Sequence, residues 1–119
     1  MGQRILVVDD LQVNRIMLQG LLSNAGYSVE VAEDGAEALG ILTQEQFDLI
    51  VLDLLMPGMN GFELLDRLKG TVPPVIVLSA LSDMDSIKRS LDLGAIDYVA
   101  KPFSIQTLLA KVRNVLDKS

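Results

Sequence analysis

Hydrophobic positions along the chain switch between two periods. Ile5 to Val8, Leu49 to Leu52 and Val75 to Leu78 are short, continuous apolar runs rich in β-branched residues, the pattern of strands covered on both faces. Tyr27 to Ala32 alternates, with Val29 and Val31 set against Ser28 and Glu30, which predicts an edge strand. Ile96 to Val99 is a more mixed run and predicts the other edge. Between these segments the apolar residues fall at helical spacing. One stripe is Ile105, Leu108, Leu109, Val112 and Leu116; others are Phe62, Leu65 and Leu68, then Met84, Ile87 and Leu91, and Val13, Ile16 and Met17 with Gly20-Leu21. These stripes are expected to face the core, and Met17, Phe62 and Met84 with them. Gly26, Gly70 and Gly94 follow helical stripes, where a left-handed residue ends a helix. Pro57-Gly58 and Pro73-Pro74 fall between elements.

Strand followed by helix, five times over, implies a parallel sheet with helices on both faces. Five strands in 119 residues suit an α/β, flavodoxin-like three-layer (βα)5 sandwich with sheet order 2-1-3-4-5 better than a dinucleotide-binding fold. The expectation is a single domain over residues 1–119, with no linker, repeat or effector domain.

Composition narrows the chemistry. Half of the residues are hydrophobic and 22% are charged, enough for a real core and unlike a disordered chain. Ten Lys and Arg against sixteen Asp and Glu give a net charge of -6, which repels a nucleic-acid backbone. With no Trp, two Tyr and three Phe, base-stacking platforms are not expected either. The chain has no Cys and no His. Disulfides, thiolate nucleophiles, imidazole ligands and Ser-His-Asp triads are therefore excluded. What remains is carboxylates, hydroxyls, Lys, Arg and backbone, a donor set that favours hard cations such as Mg2+, with Mn2+ a possible substitute. The first apolar run ends at once in Asp9-Asp10, too short for a signal-peptide core. No stretch approaches a membrane span. Gly2 follows Met1, but Leu6 stands where a myristoylation signal wants Ser or Thr. A cytoplasmic protein without membrane contact is expected.

In a sheet of this order, ligands bind beyond the carboxyl ends of the strands where the order reverses, between the first and third. Asp9 and Asp10 end the first strand, Asp53 ends the third, Ser79 ends the fourth and Lys101 follows the fifth. Carboxylates about 4 Å apart repel by roughly 4 kcal/mol at an effective dielectric of 20. Three of them on one rim call for a cation among them, and a magnesium ion shared with a phosphate oxygen fits. Asp53 is then placed to act as a nucleophile toward a phosphoryl group, with Lys101 neutralising its oxygens and Ser79 donating a hydrogen bond.

Four segments carry a family resemblance: Val7-Val8-Asp9-Asp10, Val51 to Gly61 with Asp53 and Met56-Pro57-Gly58, Val77-Leu78-Ser79-Ala80, and Gly94 to Phe103 with Lys101-Pro102. In order and across essentially the whole chain, they resemble the receiver domain of bacterial response regulators (chemotaxis-regulator-like). The resemblance implies that Asp53 accepts phosphate from a histidine kinase, a histidine phosphotransfer protein or a small phosphodonor. It implies a magnesium site of Asp9, Asp10, Asp53 and the Leu55 backbone carbonyl, a switch pair of Ser79 and Tyr98, and a phosphate-contacting Lys101. It also implies a cis Lys101-Pro102 bond and no turnover beyond self-catalysed phosphorylation and dephosphorylation. On phosphorylation Ser79 would move toward the phosphoryl group and Tyr98 would rotate into the space it opens. The face of the fourth helix, fifth strand and fifth helix, near Ile87, Leu91, Tyr98 and Lys111, would then change its preference for a downstream protein or a fused effector domain. The protein would be a monomer or a phosphorylation-dependent dimer. Leu55 and Leu81, each two residues beyond a site residue, are apolar where receivers flank the hydrolytic water, implying a long-lived phosphoryl group. The run Asp10-Leu11-Gln12-Val13-Asn14-Arg15 resembles receivers attached to sensor kinases.

Rival readings are weaker on the same residues. A haloacid-dehalogenase-like phosphatase wants a second Asp where Leu55 stands. A flavodoxin-type binder wants a hydroxyl-rich phosphate loop where Asp9-Asp10 would repel phosphate. The alternative kept open is a receiver-like interaction module that works without phosphorylation. Asp10 as a simple cap of the first helix is the plain reading of that residue.

Overall fold

The computed structural model describes residues 3–56, 58, 60–69, 73–81 and 83–117. Five strands alternate with five helices: β1 (Arg4–Val8), α1 (Gln12–Asn24), β2 (Ser28–Ala32), α2 (Gly35–Gln44), β3 (Leu49–Leu52), α3 (Gly61–Leu68), β4 (Val75–Ser79), α4 (Met84–Asp92), β5 (Asp97–Ala100) and α5 (Ile105–Leu116). All pairings are parallel and the order is β2-β1-β3-β4-β5, the expected flavodoxin-like arrangement.

The continuous apolar runs have a direct cause: successive residues feed opposite faces of one buried sheet. Leu6, Val8, Ile50, Leu52, Val75 and Val77 join one core with Ala38, Leu64 and Leu65 of α2 and α3. Ile5, Val7, Leu49, Val51, Ile76 and Leu78 join the other with Leu18 and Leu22 of α1 and Leu108, Val112 and Leu116 of α5. Strand β2 lies at an edge, as its alternation predicts. Strand β5 is the other edge but begins one residue later than expected, leaving Ile96 exposed.

The helix ends follow local chemistry. Asp34, Asn60, Asp83 and Ser104 each accept a hydrogen bond from the backbone N–H three residues on and cap α2, α3, α4 and α5. Gly26 and Gly94 take positive φ, and the bonds Tyr27 N to Leu22 O and Ala95 N to Ser90 O close Schellman turns after α1 and α4. Gly70, read as a third such residue, and Pro57 lie outside the described residues.

Two helical stripes do not face the core. In α1, Val13 is 71% exposed, Ile16 61% and Met17 45%, and the buried residues are Leu18 and Leu22. The inward face of the first turn of α1 carries Asn14 and Arg15, both half-buried. Periodicity assigns a helix face by apolarity, so two polar inward positions turned the reading outward. In α4, Met84 is 79% exposed and Leu91 is also exposed, while the residue that is buried is Ser90. Its hydroxyl is satisfied by the Ile87 carbonyl at 2.8 Å, which lets a polar residue face the sheet. Phe62 is half-buried, its ring covered by the Arg89 guanidinium at 4.2 Å. Ile105, at the first turn of α5, is exposed.

Candidate functional site: an acidic rim at the strand-order reversal

Three site residues, Asp53, Asp9 and Lys101, are pinned by backbone bonds that carry the sheet ladder slightly past its end. Asp53 N donates to Val8 O at 2.9 Å, Asp9 N to Ala32 O at 3.1 Å, and Lys101 N to Ser79 O at 2.9 Å. Side chains from four separate stretches of chain thus meet on one rim without relying on a flexible loop.

One carboxylate oxygen from each of Asp9, Asp10 and Asp53 lies within 4.8 Å of the others. Asp9 and Asp53 are buried and Asp10 is partly exposed, so the cluster opens to solvent on the Asp10 side. The Lys101 ammonium sits between the two buried acids, 3.2 Å from Asp9 Oδ2 and 3.3 Å from Asp53 Oδ2. Asp9 is the most heavily used of the three. Its Oδ1 accepts Leu11 N–H at 3.0 Å, and its Oδ2 accepts the Asn14 amide at 3.3 Å as well as Lys101. Asp53 Oδ1 accepts Leu55 N–H at 3.1 Å. Among the described residues, Asp10 has no hydrogen-bond partner for its carboxylate. It does not cap α1, whose N-cap is Leu11 and which has no side-chain cap. Three hard oxygen donors, one of them free and all converging, fit a small divalent cation better than they fit a purely structural role.

Ser79 ends β4 and is fully buried. Its hydroxyl accepts Leu81 N–H at 3.3 Å, the same local turn that Leu55 makes with Asp53. Leu55 and Leu81 therefore sit in equivalent positions on two sides of the rim, Leu55 half exposed and Leu81 partly buried. The Lys101-Pro102 peptide is cis.

The Tyr98 hydroxyl is buried, with no hydrogen-bond partner among the described residues. Burial pushes the phenol above its ordinary value. The Ser79 hydroxyl, close but outside hydrogen-bonding geometry, draws it partly back, and the charges of Asp83 and Asp53 push it up again. The ring packs with the core on the α2–α3 side of the sheet.

Two features of the site were not assigned from sequence. Gly61, the first residue of α3, sits against the backbone behind Asp53: a Cβ there would meet Leu54 Cα at 2.5 Å and Asp53 O at 2.8 Å. Arg15 reaches from α1 to donate to the Asp9 carbonyl at 2.7 Å. The Gly signal is visible in the run after Asp53 but only as a turn; the Arg signal is invisible until the inward face of α1 is known. A cavity of about 440 Å³ between α2 and α3, lined by Leu39, Leu42, Phe47 and Pro73 among others, does not reach this rim.

Comparison with known proteins agrees with this architecture. The response regulator receiver domain family matches over residues 5–113. The response regulator MprA of Mycobacterium tuberculosis is 43% identical over 121 residues, covering 100% of this chain and 53% of the relative. This chain thus spans about half the length of the curated relatives it matches. The Vibrio cholerae chemotaxis protein CheY4 superposes with a TM-score of 0.89 at 34% identity, over 98% of this chain and 100% of that one. The signal receiver domain of a signal transduction histidine kinase from Syntrophus aciditrophicus superposes with a TM-score of 0.88 at 37% identity, over 98% and 91%. Among the described residues, no helix is long and apolar enough to cross a membrane. A match running from the first strand into the last helix, on a sheet whose reversal point gathers the acids, leads to one assignment: the chain belongs to the response regulator receiver domain family of two-component signalling.

Proposed function

We propose that the chain is a phospho-accepting switch in which Asp53 takes a phosphoryl group from the phosphohistidine of a histidine kinase or phosphotransfer protein, or from a small phosphodonor. The observation that carries this reading is the Asp53 carboxylate held between the Lys101 ammonium and two further acids on an open rim. An Asp53 carboxylate oxygen attacks phosphorus; the new O–P bond forms as the donor's N–P bond breaks, and the electron pair leaves on the imidazole nitrogen. Lys101 releases Asp9 and Asp53 to contact a phosphoryl oxygen, which keeps one positive charge beside the transferred group throughout. Asp9, Asp10 and Asp53 would hold Mg2+ together with the Leu55 carbonyl, Asp10 being the carboxylate with no hydrogen-bond partner among the described residues. When bound, Mg2+ supplies charge that neutralises the phosphoryl oxygens. Manganese is expected to substitute.

Phosphorylation adds nearly two negative charges and three acceptor oxygens. The Ser79 hydroxyl turns toward them, giving up its bond from Leu81 N–H and altering the surroundings of the Tyr98 ring. The change reaches the face of α4, β5 and α5, where Ile87, Leu91 and Lys111 lie and where Lys111 pairs with Asp97 at 2.9 Å. Moving a population from 1:99 to 99:1 needs about 5.5 kcal/mol. One hydroxyl bond and one charge pair supply part of that, so the partner or a phosphorylation-dependent dimer supplies the rest. This face serves a separate target or a fused effector domain in the cytoplasm, and the domain has no turnover beyond its own phosphorylation and dephosphorylation.

Adding beryllofluoride and Mg2+ to isotopically labelled protein tests the switch. Amide shifts are expected at Asp53, Ser79, Tyr98 and α4, and none in Asp53→Asn. Shifts confined to the acidic rim would reject the coupling to the α4–β5–α5 face.

A further inference from the structure

We propose that Arg15 is a positioning residue for the carboxylates that hold the cation. This inference rests on the reading above that the acidic rim binds Mg2+. The carbonyl that Arg15 Nη1 grips at 2.7 Å belongs to the peptide joining Asp9 to Asp10. The direction of that peptide sets where both carboxylates point. The helix that follows this peptide, α1, begins without a side-chain cap, unlike α2, α3, α4 and α5.

The other branch of the guanidinium, Nη2, lies 3.9 Å from Glu33 in the turn after β2. That turn is itself ordered, because Glu33 N donates to Glu37 Oε1 and Glu37 N donates to Asp34 Oδ1. Arg15 therefore ties the peptide between Asp9 and Asp10 to the turn between β2 and α2, through a long contact with a Glu33 carboxylate that is 63% exposed, while its own side chain is only 15% exposed. Asn14 adds a second hold from the same helix, on Asp9 Oδ2.

Electrostatics argues the other way, and this gives the proposal a sign. A guanidinium beside three acids lowers the local negative potential and so weakens cation binding. Pure charge therefore makes removal of Arg15 tighten Mg2+ binding, whereas a positioning role makes removal weaken it. Outer partners that orient metal ligands typically account for about 10–100-fold in affinity.

Titration calorimetry with MgCl2 on the wild-type chain, Arg15→Met and Arg15→Lys separates the two. Thermal unfolding in EDTA records any loss of fold on its own. Arg15→Met is expected to raise the Mg2+ Kd about 10-fold or more. Arg15→Lys keeps the charge but loses the fork, so it cannot hold the carbonyl and face Glu33 together; it is expected to raise Kd by a smaller factor, roughly 3-fold. A Kd for Arg15→Met equal to or below wild type overturns the proposal. Where Arg15→Met does not fold, Arg15→Lys decides: a raised Kd supports positioning and an unchanged one overturns it. Absence of Mg2+ binding by the wild-type chain removes the underlying reading and this one with it. Wild-type binding with an indifferent Arg15→Met removes this one alone.

Discussion

The Lys101 ammonium lies 3.3 Å from Asp53 Oδ2 and reaches it across 48 residues of chain. It also lies 3.2 Å from Asp9 Oδ2, so a single flexible cation holds together two buried acids that would otherwise repel. Removing it leaves both carboxylates facing each other with their oxygens poorly solvated. Lys101→Met is expected to lose about 1–3 kcal/mol of stability without divalent cation, less than the full cost of breaking a closed pair because the Asp10 side is open. Urea denaturation checks this. Millimolar Mg2+ should stabilise Lys101→Met more than wild type, since a ligand of the native state stabilises in proportion to its affinity there. Equal Mg2+ stabilisation of the two proteins would contradict the arrangement.

Gly61 packs tightly against the backbone beside Asp53. A methyl group at this position would press on the Leu54 Cα and the Asp53 carbonyl, which are backbone atoms and yield little. Gly61→Ala is expected to destabilise by about 1–3 kcal/mol and to slow phosphorylation of Asp53, because relief of the clash moves the residue that carries it. A fully stable, fully reactive Gly61→Ala would show that α3 shifts freely.

Among the described residues the buried Tyr98 hydroxyl has no hydrogen-bond partner, which is costly for a polar group. Tyr98→Phe is expected to be as stable as wild type or more stable by about 1 kcal/mol in the unphosphorylated state. The pH dependence has a definite sign. Burial holds the phenol above 10.0 in the folded state. Its contribution is therefore complete below the unfolded value and is lost as pH rises through the folded one. Stability of Tyr98→Phe should fall less steeply than that of wild type above pH 10.0. Tyr27, raised by burial and by the charge of Asp117 against the opposing pull of Arg113, contributes equally to both proteins.

Leu55 and Leu81 flank the rim where a hydrolytic water would approach a phosphoryl group on Asp53. Neither side chain can orient that water. Leu55→Asn is expected to shorten the phosphoryl lifetime by roughly 10-fold, a fraction of what full acid–base assistance provides. Timing the decay by intact mass measures it, and an unchanged lifetime would show that these positions do not control access.

Much of this was legible in the sequence because a parallel sheet buried on both faces writes itself as continuous apolar runs. Ile5 to Val8 and Leu49 to Leu52 left no other reading, and with them came the strand ends where Asp9, Asp10 and Asp53 meet. The helices were less legible. Val13, Ile16 and Met17 have the spacing of a core stripe, yet the inward face of α1 near the site is Asn14 and Arg15, polar because it serves the rim. Met84 failed similarly, since α4 turns Ser90 inward with its hydroxyl satisfied locally. Tyr98 could be placed on β5 from its pattern, but the position of its hydroxyl depends on a rotamer that no spacing encodes.

Incubation with acetyl phosphate and Mg2+, followed by intact mass, tests the central claim most directly, with Asp53→Asn alongside. The expected result is a gain of one phosphoryl group that requires Mg2+ and disappears in Asp53→Asn. A gain that persists in Asp53→Asn, or proceeds equally in EDTA, would contradict Asp53 as the acceptor on a cation-holding rim.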